Sequence, residues 1–346
     1  MDVIMTIKPV FITMVLALIM GLFSGTVATV LTQSYLERYV DSLEQATWWK
    51  QQLSEEKPRP TPGSYEEALQ IAHDELFASL VLFYNSGSSA TLLPGSEIGA
   101  GVVVTSDGWV LSTASAIGTR AFVGGVEYAM TNTVRDALTD SVLIKLEANG
   151  LPVIAFADSE TLMSGQEVFV ARGIDTLFAT TIADPSAWSL PGVAGSAETF
   201  SGFLTFNDEL SLDGAPVVNL SGELVAVGDT PLSFIKNAMT TAVRSGVYTR
   251  ASFGAQLIDL SFVHLPDTSN RGFTRGALVT SVSFSGPASI GGLRTSDIIL
   301  RVQDQTLTRQ TSFAEILANY EPGKRVSILV DRNGEQLTLE VELGTL

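Results

Sequence analysis

From residue 80 onward the chain alternates short apolar runs with turn residues: GAGVVVTSDGWVLST, SVLIKLEANG, LPVIAFADS, GQEVFVARG and APVVNLSGELVAVG. Runs of this length, broken by Gly, Asp, Asn or Ser, have the spacing of strands and predict an all-β barrel or sandwich. Ser106-Asp107-Gly108 and Leu220-Ser221-Gly222 fall where hairpin turns are needed. Ahead of them, SYEEALQIAHDELFASLVLFYN predicts a short helix and then a strand around Ser79 to Tyr84. After about Thr249 the pattern changes to strands with one helix, SFAEILANY, which has Ser312 as N-cap and Pro322-Gly323 as stop. That tail of nearly 100 residues is long enough for a small domain with its own core.

The N-terminal segment follows other rules. From Pro9 to Leu36 there is no Asp, Glu, Lys or Arg, and VFITMVLALIMGLFSGTVATVL is almost wholly apolar. About 20 such residues span a bilayer as a helix. The run exceeds the ~7–15-residue core of a signal peptide. It therefore predicts an uncleaved transmembrane anchor over residues 9–32; a cleaved signal peptide, processed near Thr26–Ala28, is the other reading. Lys8 precedes the span and a mixed Glu37, Arg38, Asp41 follows it, which puts residues 1–8 in the cytoplasm and the bulk of the chain outside. Leu36, Tyr39, Val40, Leu43 and Ala46 keep helical spacing as the chain leaves the membrane. Trp48 and Trp49 suit a membrane interface, a subunit contact or plain helix packing. Pro58, Pro60 and Pro62 then stop the helix and give a semi-rigid spacer ending at residue 63.

Composition narrows the function. The chain has 346 residues and a formal net charge of −17, which argues against a nucleic-acid partner, because that affinity is built from clustered Lys and Arg. Cysteine is absent, so there is no disulfide, thiolate metal site or Cys nucleophile. Histidine occurs twice, at His73 and His264.

Several motifs in one order carry a resemblance over about residues 75–346. GAGVVVTSDGWVLSTASAIG resembles the strand–turn–strand that bears the catalytic His in the HtrA/Deg family of trypsin-like proteases. DALTDSVLIKLEANGLPVIAFADSETLMSGQEVFVA is similar to the family's catalytic-Asp segment, and SLDGAPVVNLSGELVAVG to its nucleophile loop and return strand. SGVYTRASFGAQL resembles the exit into a PDZ domain, and GALVTSVSFSGPASIGGLRTSDIILRVQDQTL a PDZ core. The resemblance implies a mainly β chain: a trypsin-like double β-barrel over 64–248 and a PDZ domain over 249–346. With the anchor and the linker over 33–63, the layout resembles the membrane-tethered, DegS-like one. The resemblance further implies a homotrimer, the alternative being a trimer that mixes this chain with an active relative.

The same resemblance places the chemistry. A serine hydrolase needs a nucleophile, a base near neutral pKa touching it, and an acid orienting the base. The acid position falls on Asp140, the base position on Ser115 and the nucleophile position on Asp213. Ser115 cannot take a proton at neutral pH. Ser211 and Ala215 stand where the family has glycines, which puts the oxyanion loop in doubt. His73 and His264 lie outside the motifs; a Ser–Lys dyad would need a Lys beside Ser115, and Lys145, on the Asp140 strand, stands where the family has a Lys without such a role. Asp140 and Asp213 as a carboxylate pair, sharing a proton or holding a divalent cation, is weighed against Asp213 as a solvated loop residue. No cofactor or metal is expected.

The PDZ domain carries the remaining expected activity. Such domains add a peptide strand to a sheet edge and hold its terminal carboxylate on backbone N–H groups. Ser252, Phe253, Gly254 and Ala255 lie where the resemblance puts that loop, and Ile316 on the Ser312–Tyr320 helix is the pocket residue. The expectation is a membrane-anchored, catalytically inactive homologue that binds peptides or protein C-termini as an envelope scaffold, sensor or quality-control partner. An active endopeptidase and a purely structural envelope protein are the alternatives.

Overall fold

The computed structural model describes residues 62–85, 95–157, 162–174, 176–188, 194–199, 202–208, 212–263 and 271–346. The expected anchor, the juxtamembrane helix, Ser211 and His264 lie outside the described residues. Among the described residues no helix is long and apolar enough to cross a membrane.

Helix α1 (Tyr65–Ser79) opens the described chain. Ser64 caps it by accepting from the Glu67 amide, and Glu67 reaches back to the Gly63 amide. Ala68, Ala72 and Leu76, four residues apart, make its buried stripe. The first barrel follows as β1 (Leu80–Tyr84), β2 (Gly99–Val103), β3 (Trp109–Thr113), β4 (Arg120–Val123), β5 (Val126–Tyr128), β6 (Met130–Arg135) and β7 (Ser141–Leu146). These pair antiparallel in the order β5-β4-β1-β2-β3-β7-β6. Every residue of β1, β2 and β3 is buried, whereas β6 is a solvated edge. Val81, Phe83, Val103, Val110, Ile144 and Leu146 form the barrel core. The β2–β3 turn holds Gly108 at φ +100°, where a side chain would strike the Leu146 carbonyl.

The second barrel is β8 (Glu167–Gly173), β9 (Thr176–Trp188), β11 (Gly202–Phe206), β12 (Pro216–Val218), β13 (Leu224–Val227) and β14 (Thr230–Pro231), ordered β11-β9-β8-β12-β13-β14. Between β9 and β11 lies β10 (Gly195–Ser196), which joins a different sheet. Val168, Val170, Ile182, Leu204 and Val217 form the second core. Helix α2 (Leu232–Ser245) leaves this barrel, buries Phe234, Ile235, Ala238, Met239 and Ala242, and ends on Gly246 in the left-handed conformation.

The C-terminal domain comprises β15 (Ala251–Ser252), β16 (Ala255–Asp259), β17 (Ala277–Val282), α3 (Pro287–Ile290), β18 (Ile298–Val302), β19 (Gln305–Thr306), α4 (Phe313–Ala318), β20 (Arg325–Arg332), β21 (Glu335–Glu342) and β22 (Gly344–Thr345). Its sheet runs β10-β16-β17-β18-β20-β21, so the edge next to β16 is filled by a strand from the second barrel. Helix α4 starts on a capping box between Ser312 and Glu315. Among the described residues the chain is mainly β, two barrels followed by a C-terminal domain of one main sheet with two short helices.

A buried ion pair ties the first barrel to the entry of the C-terminal domain. Arg250 Nε and Nη2 lie 3.0 Å and 2.5 Å from the Asp136 carboxylate oxygens, and Nη1 donates to the Phe234 carbonyl at 3.0 Å. The guanidinium also lies 4.5 Å from the Phe234 ring centroid. Both side chains are almost fully enclosed, at 6% and 1% exposure.

Candidate functional site

Strand β3 runs into a single 3-10 turn, Ala114–Ala116, which carries Ser115. The turn is latched to the β6–β7 loop because the Ala114 amide donates to the Asp140 carbonyl at 2.7 Å. Asp136 shapes that loop by accepting from the Leu138 amide and the Thr139 hydroxyl. The structure thus brings Ser115 to Asp140. The Asp140 carboxylate receives the Ser115 hydroxyl at 3.4 Å and the Ser115 amide at 3.5 Å, with the Thr113 hydroxyl 3.2 Å from that of Ser115. These contacts are long for a charged acceptor. The contact pairs a carboxylate with an alcohol, and an alcohol of ordinary pKa does not act as a general base near neutral pH.

Asp213 lies on the loop before β12 and is exposed. Its carbonyl accepts from the Ala100 amide at 3.0 Å, which fastens the loop to β2. Gly214 follows at φ +73°, and a Cβ there would sit 2.4 Å from the Ala100 carbonyl oxygen and 2.7 Å from the Ala116 Cβ. The loop therefore packs directly against the Ser115 turn, and only glycine allows that approach. The Ala215 amide donates back to the Leu212 carbonyl, so this donor is already used inside the turn. A cleft of about 280 Å³ lies beside Asp213, lined among others by Glu97, Ile98, Arg172, Ile174 and Phe178.

The remaining candidates lie elsewhere. His73, the one histidine among the described residues, is on α1, bonded to Asp74 and packed on Phe77. Lys145 is held at the β2–β3 turn by the Asp107 carboxylate and carbonyl, both at 2.5 Å, so no Ser–Lys dyad forms with Ser115. Among the described residues no group of three or more His, Cys, Asp or Glu side chains is placed to hold a metal ion.

In the C-terminal domain, Ser252, Phe253, Gly254 and Ala255 form the turn from β15 into β16, with Gly254 at φ +78°. The Phe253 and Gly254 amides point the same way, as an anion-holding turn requires. They donate to one oxygen of Glu198, at 2.7 Å and 2.8 Å. The Ser252 hydroxyl lies 3.4 Å from the same oxygen, and the Ser196 hydroxyl bonds the other. Burial raises the pKa of Glu198, but the Ser196 hydroxyl and the two amides outweigh it and hold the carboxyl below its ordinary range. Ile316 is buried in one apolar cluster with Phe253, Ala255, Phe313 and Ala197. It also lines a cleft of about 420 Å³ shared with Ser186, Pro231, Ser233 and Glu315. Glu198 was not a sequence candidate. A lone Glu in a short polar stretch has no motif around it; its role comes from amides 55 and 56 positions away.

Two antiparallel barrels and a terminal domain with a carboxylate-holding turn define a trypsin-like fold joined to a PDZ domain, with Ser115, Asp140 and Asp213 on three separate loops of the barrels. The chain has the HtrA/DegP-type serine protease fold with a C-terminal PDZ domain. The PDZ domain family model matches residues 252–343. Among curated proteins, the chain is 26% identical over 273 residues to a probable periplasmic serine endoprotease DegP-like from Halomonas elongata, covering 72% of this chain and 56% of that protein. It is 24% identical over 277 residues to one of the same description from Pseudomonas fulva, with the same coverage of both. The chain thus spans a little over half the length of these relatives. Among solved structures, the HtrA-type protease AlgW with a decapeptide matches with TM-score 0.55 and 20% identity over 82% of this chain and 99% of that one. AlgW with a tripeptide matches with TM-score 0.56 and 19% identity, over 82% and 97%.

Proposed function

We propose that this chain is a catalytically inactive HtrA-like protein that binds peptides or protein C-termini through its PDZ domain, acting outside the cytoplasm as an envelope scaffold, sensor or quality-control partner. The observation that carries the reading is the Ser115–Asp140 contact. Asp140 meets the Ser115 alcohol, which cannot act as a base near neutral pH, and Asp213 carries no hydroxyl that could become a nucleophilic alkoxide. The relatives named periplasmic support the extracytoplasmic side, and the apolar run over 9–32 supports a membrane anchor. Resemblance to the family supports a homotrimer. The neighbours solved with a decapeptide and a tripeptide support peptide as the ligand class.

The relatives' description as endoproteases favours one competing reading, a working serine endopeptidase. Fluorophosphonate labelling of the full chain in detergent separates the two. No labelled serine is expected from a preparation whose circular dichroism shows folded β structure. Stoichiometric labelling of any serine, abolished by heat, would establish an active enzyme.

A further inference from the structure

The groove between β16 and α4 is filled by the chain itself. Strand β10 pairs antiparallel with β16, Gly195 opposite Leu257 and Ser196 opposite Gln256, and the Ala197 amide donates to the Ala255 carbonyl at 2.9 Å. One residue later the Glu198 side chain enters the Phe253–Gly254 turn. An extended segment on the sheet edge, ending in a carboxylate held by consecutive backbone amides, is the recognition geometry of a peptide C-terminus. Here the chain continues through Thr199, and a side-chain carboxylate supplies the charge. Ala197 is 2% exposed and Glu198 6%, so water is excluded from both the strand and the anion.

We propose that Gly195–Glu198 of the second barrel is a built-in ligand of the PDZ groove, its Glu198 carboxylate standing in for a terminal carboxylate, and that an external C-terminus binds only by displacing it. This rests on the reading of the groove as a peptide site. It also names the chemistry the groove accepts. In a free peptide, the residue whose amide meets Ala255 is the last one, and Ala197 holds that place among Phe253, Ala255 and Ile316. The groove therefore takes a free C-terminus whose final side chain is small and apolar. Displacement also frees the β9–β11 connection of the barrel. Glu198 and Arg250 line one small cleft with Ala251 and Leu317, so the groove adjoins the buried pair that shapes the Asp140 loop.

The test uses the full chain in detergent. The probe is a fluorescein-labelled decapeptide with the sequence of residues 188–197, ending in a free carboxylate on its final Ala. A competing closed state weakens apparent affinity by the fraction of open groove. Glu198→Gln keeps the shape of the internal ligand but removes its charge, and is expected to tighten binding about tenfold or more by anisotropy. The same peptide amidated at its C-terminus is expected to lose that affinity. Equal binding by the native chain and Glu198→Gln overturns the internal ligand while leaving the peptide site intact. Binding by neither, in folded protein, overturns the peptide-site reading itself. Hydrogen exchange on the native chain covers the case of a variant that does not fold. The Phe253 and Gly254 amides are expected to be protected without peptide, and free exchange at both overturns the proposal.

Discussion

Replacing Asp136 by Ala tests the joint between the first barrel and the PDZ domain. The carboxylate takes three hydrogen bonds from the guanidinium of Arg250, one from the Leu138 amide and one from the Thr139 hydroxyl. In the variant a guanidinium only 6% exposed keeps a single carbonyl, that of Phe234, and the face of its ring. Removing one partner of a buried pair costs about 3–5 kcal/mol, since the remaining charge is left uncompensated. At about 2–4 °C per kcal/mol, melting falls by roughly 6–20 °C. Added salt should leave the loss unchanged, because water and ions do not reach the pair. The double variant Asp136→Leu/Arg250→Met removes both charges and should regain most of the loss. Urea unfolding by circular dichroism gives the magnitudes, and hydrogen exchange at residues 137–140 shows whether the Asp140 loop loosens with it. A single-variant loss under about 1 kcal/mol, or a double variant no better than the single, refutes the reasoning.

Two further outcomes follow from local geometry. Burial, with the Asp259 charge adding, pushes the Glu315 carboxyl from 4.5 up to about 7 against hydrogen bonds from Ser312 and Ser233, so the folded state binds a proton more tightly than the unfolded one. Stability is then greatest below pH 4.5 for this group and falls as pH rises towards 7. Glu315→Gln should flatten that slope and be about 1–3 kcal/mol more stable at pH 8, and parallel pH profiles for the two proteins would sink the idea. Gly214→Ala places a Cβ 2.5 Å from the Ser112 hydroxyl and 2.4 Å from a backbone carbonyl at φ +73°. A loss of about 2–5 kcal/mol in urea unfolding is expected. Gly246→Ala, at φ +75° but in open space, should lose only about 1 kcal/mol, and equal losses would show that crowding is not the cause.

What could be read along the chain were features with a local signature. Ser312 and Glu315 announce a helix start three residues apart, and the structure closes both bonds of the capping box. Gly108 and Gly222 mark turns, and both adopt positive φ. Ser115, Asp140 and Asp213 are legible only as positions within motifs that resemble those of the HtrA/Deg family. Their consequence, an acid bonded to an alcohol, needed the fold. What stayed hidden was non-local. Asp136 and Arg250 are 114 positions apart, and neither residue's neighbours hint at burial. Likewise β10 is two residues, Gly and Ser, with no apolar alternation at all; its pairing is decided by the open edge of β16 and by two amides that need an anion. Periodicity reports which face of an element is buried, never which distant carboxylate completes a site.

The occupied carboxylate turn has a consequence for how ligands of this protein are found. A peptide entering an empty groove adds hydrogen bonds to the folded state and raises its melting temperature by mass action. Here the Phe253 and Gly254 amides already hold an anion, so an incoming terminus trades one carboxylate for another and one edge strand for another. The folded state gains little, and a thermal-shift screen will pass over true ligands. The useful signal is in what leaves: a reporter placed on the β9–β11 connection, rather than on the groove, registers each exchange directly.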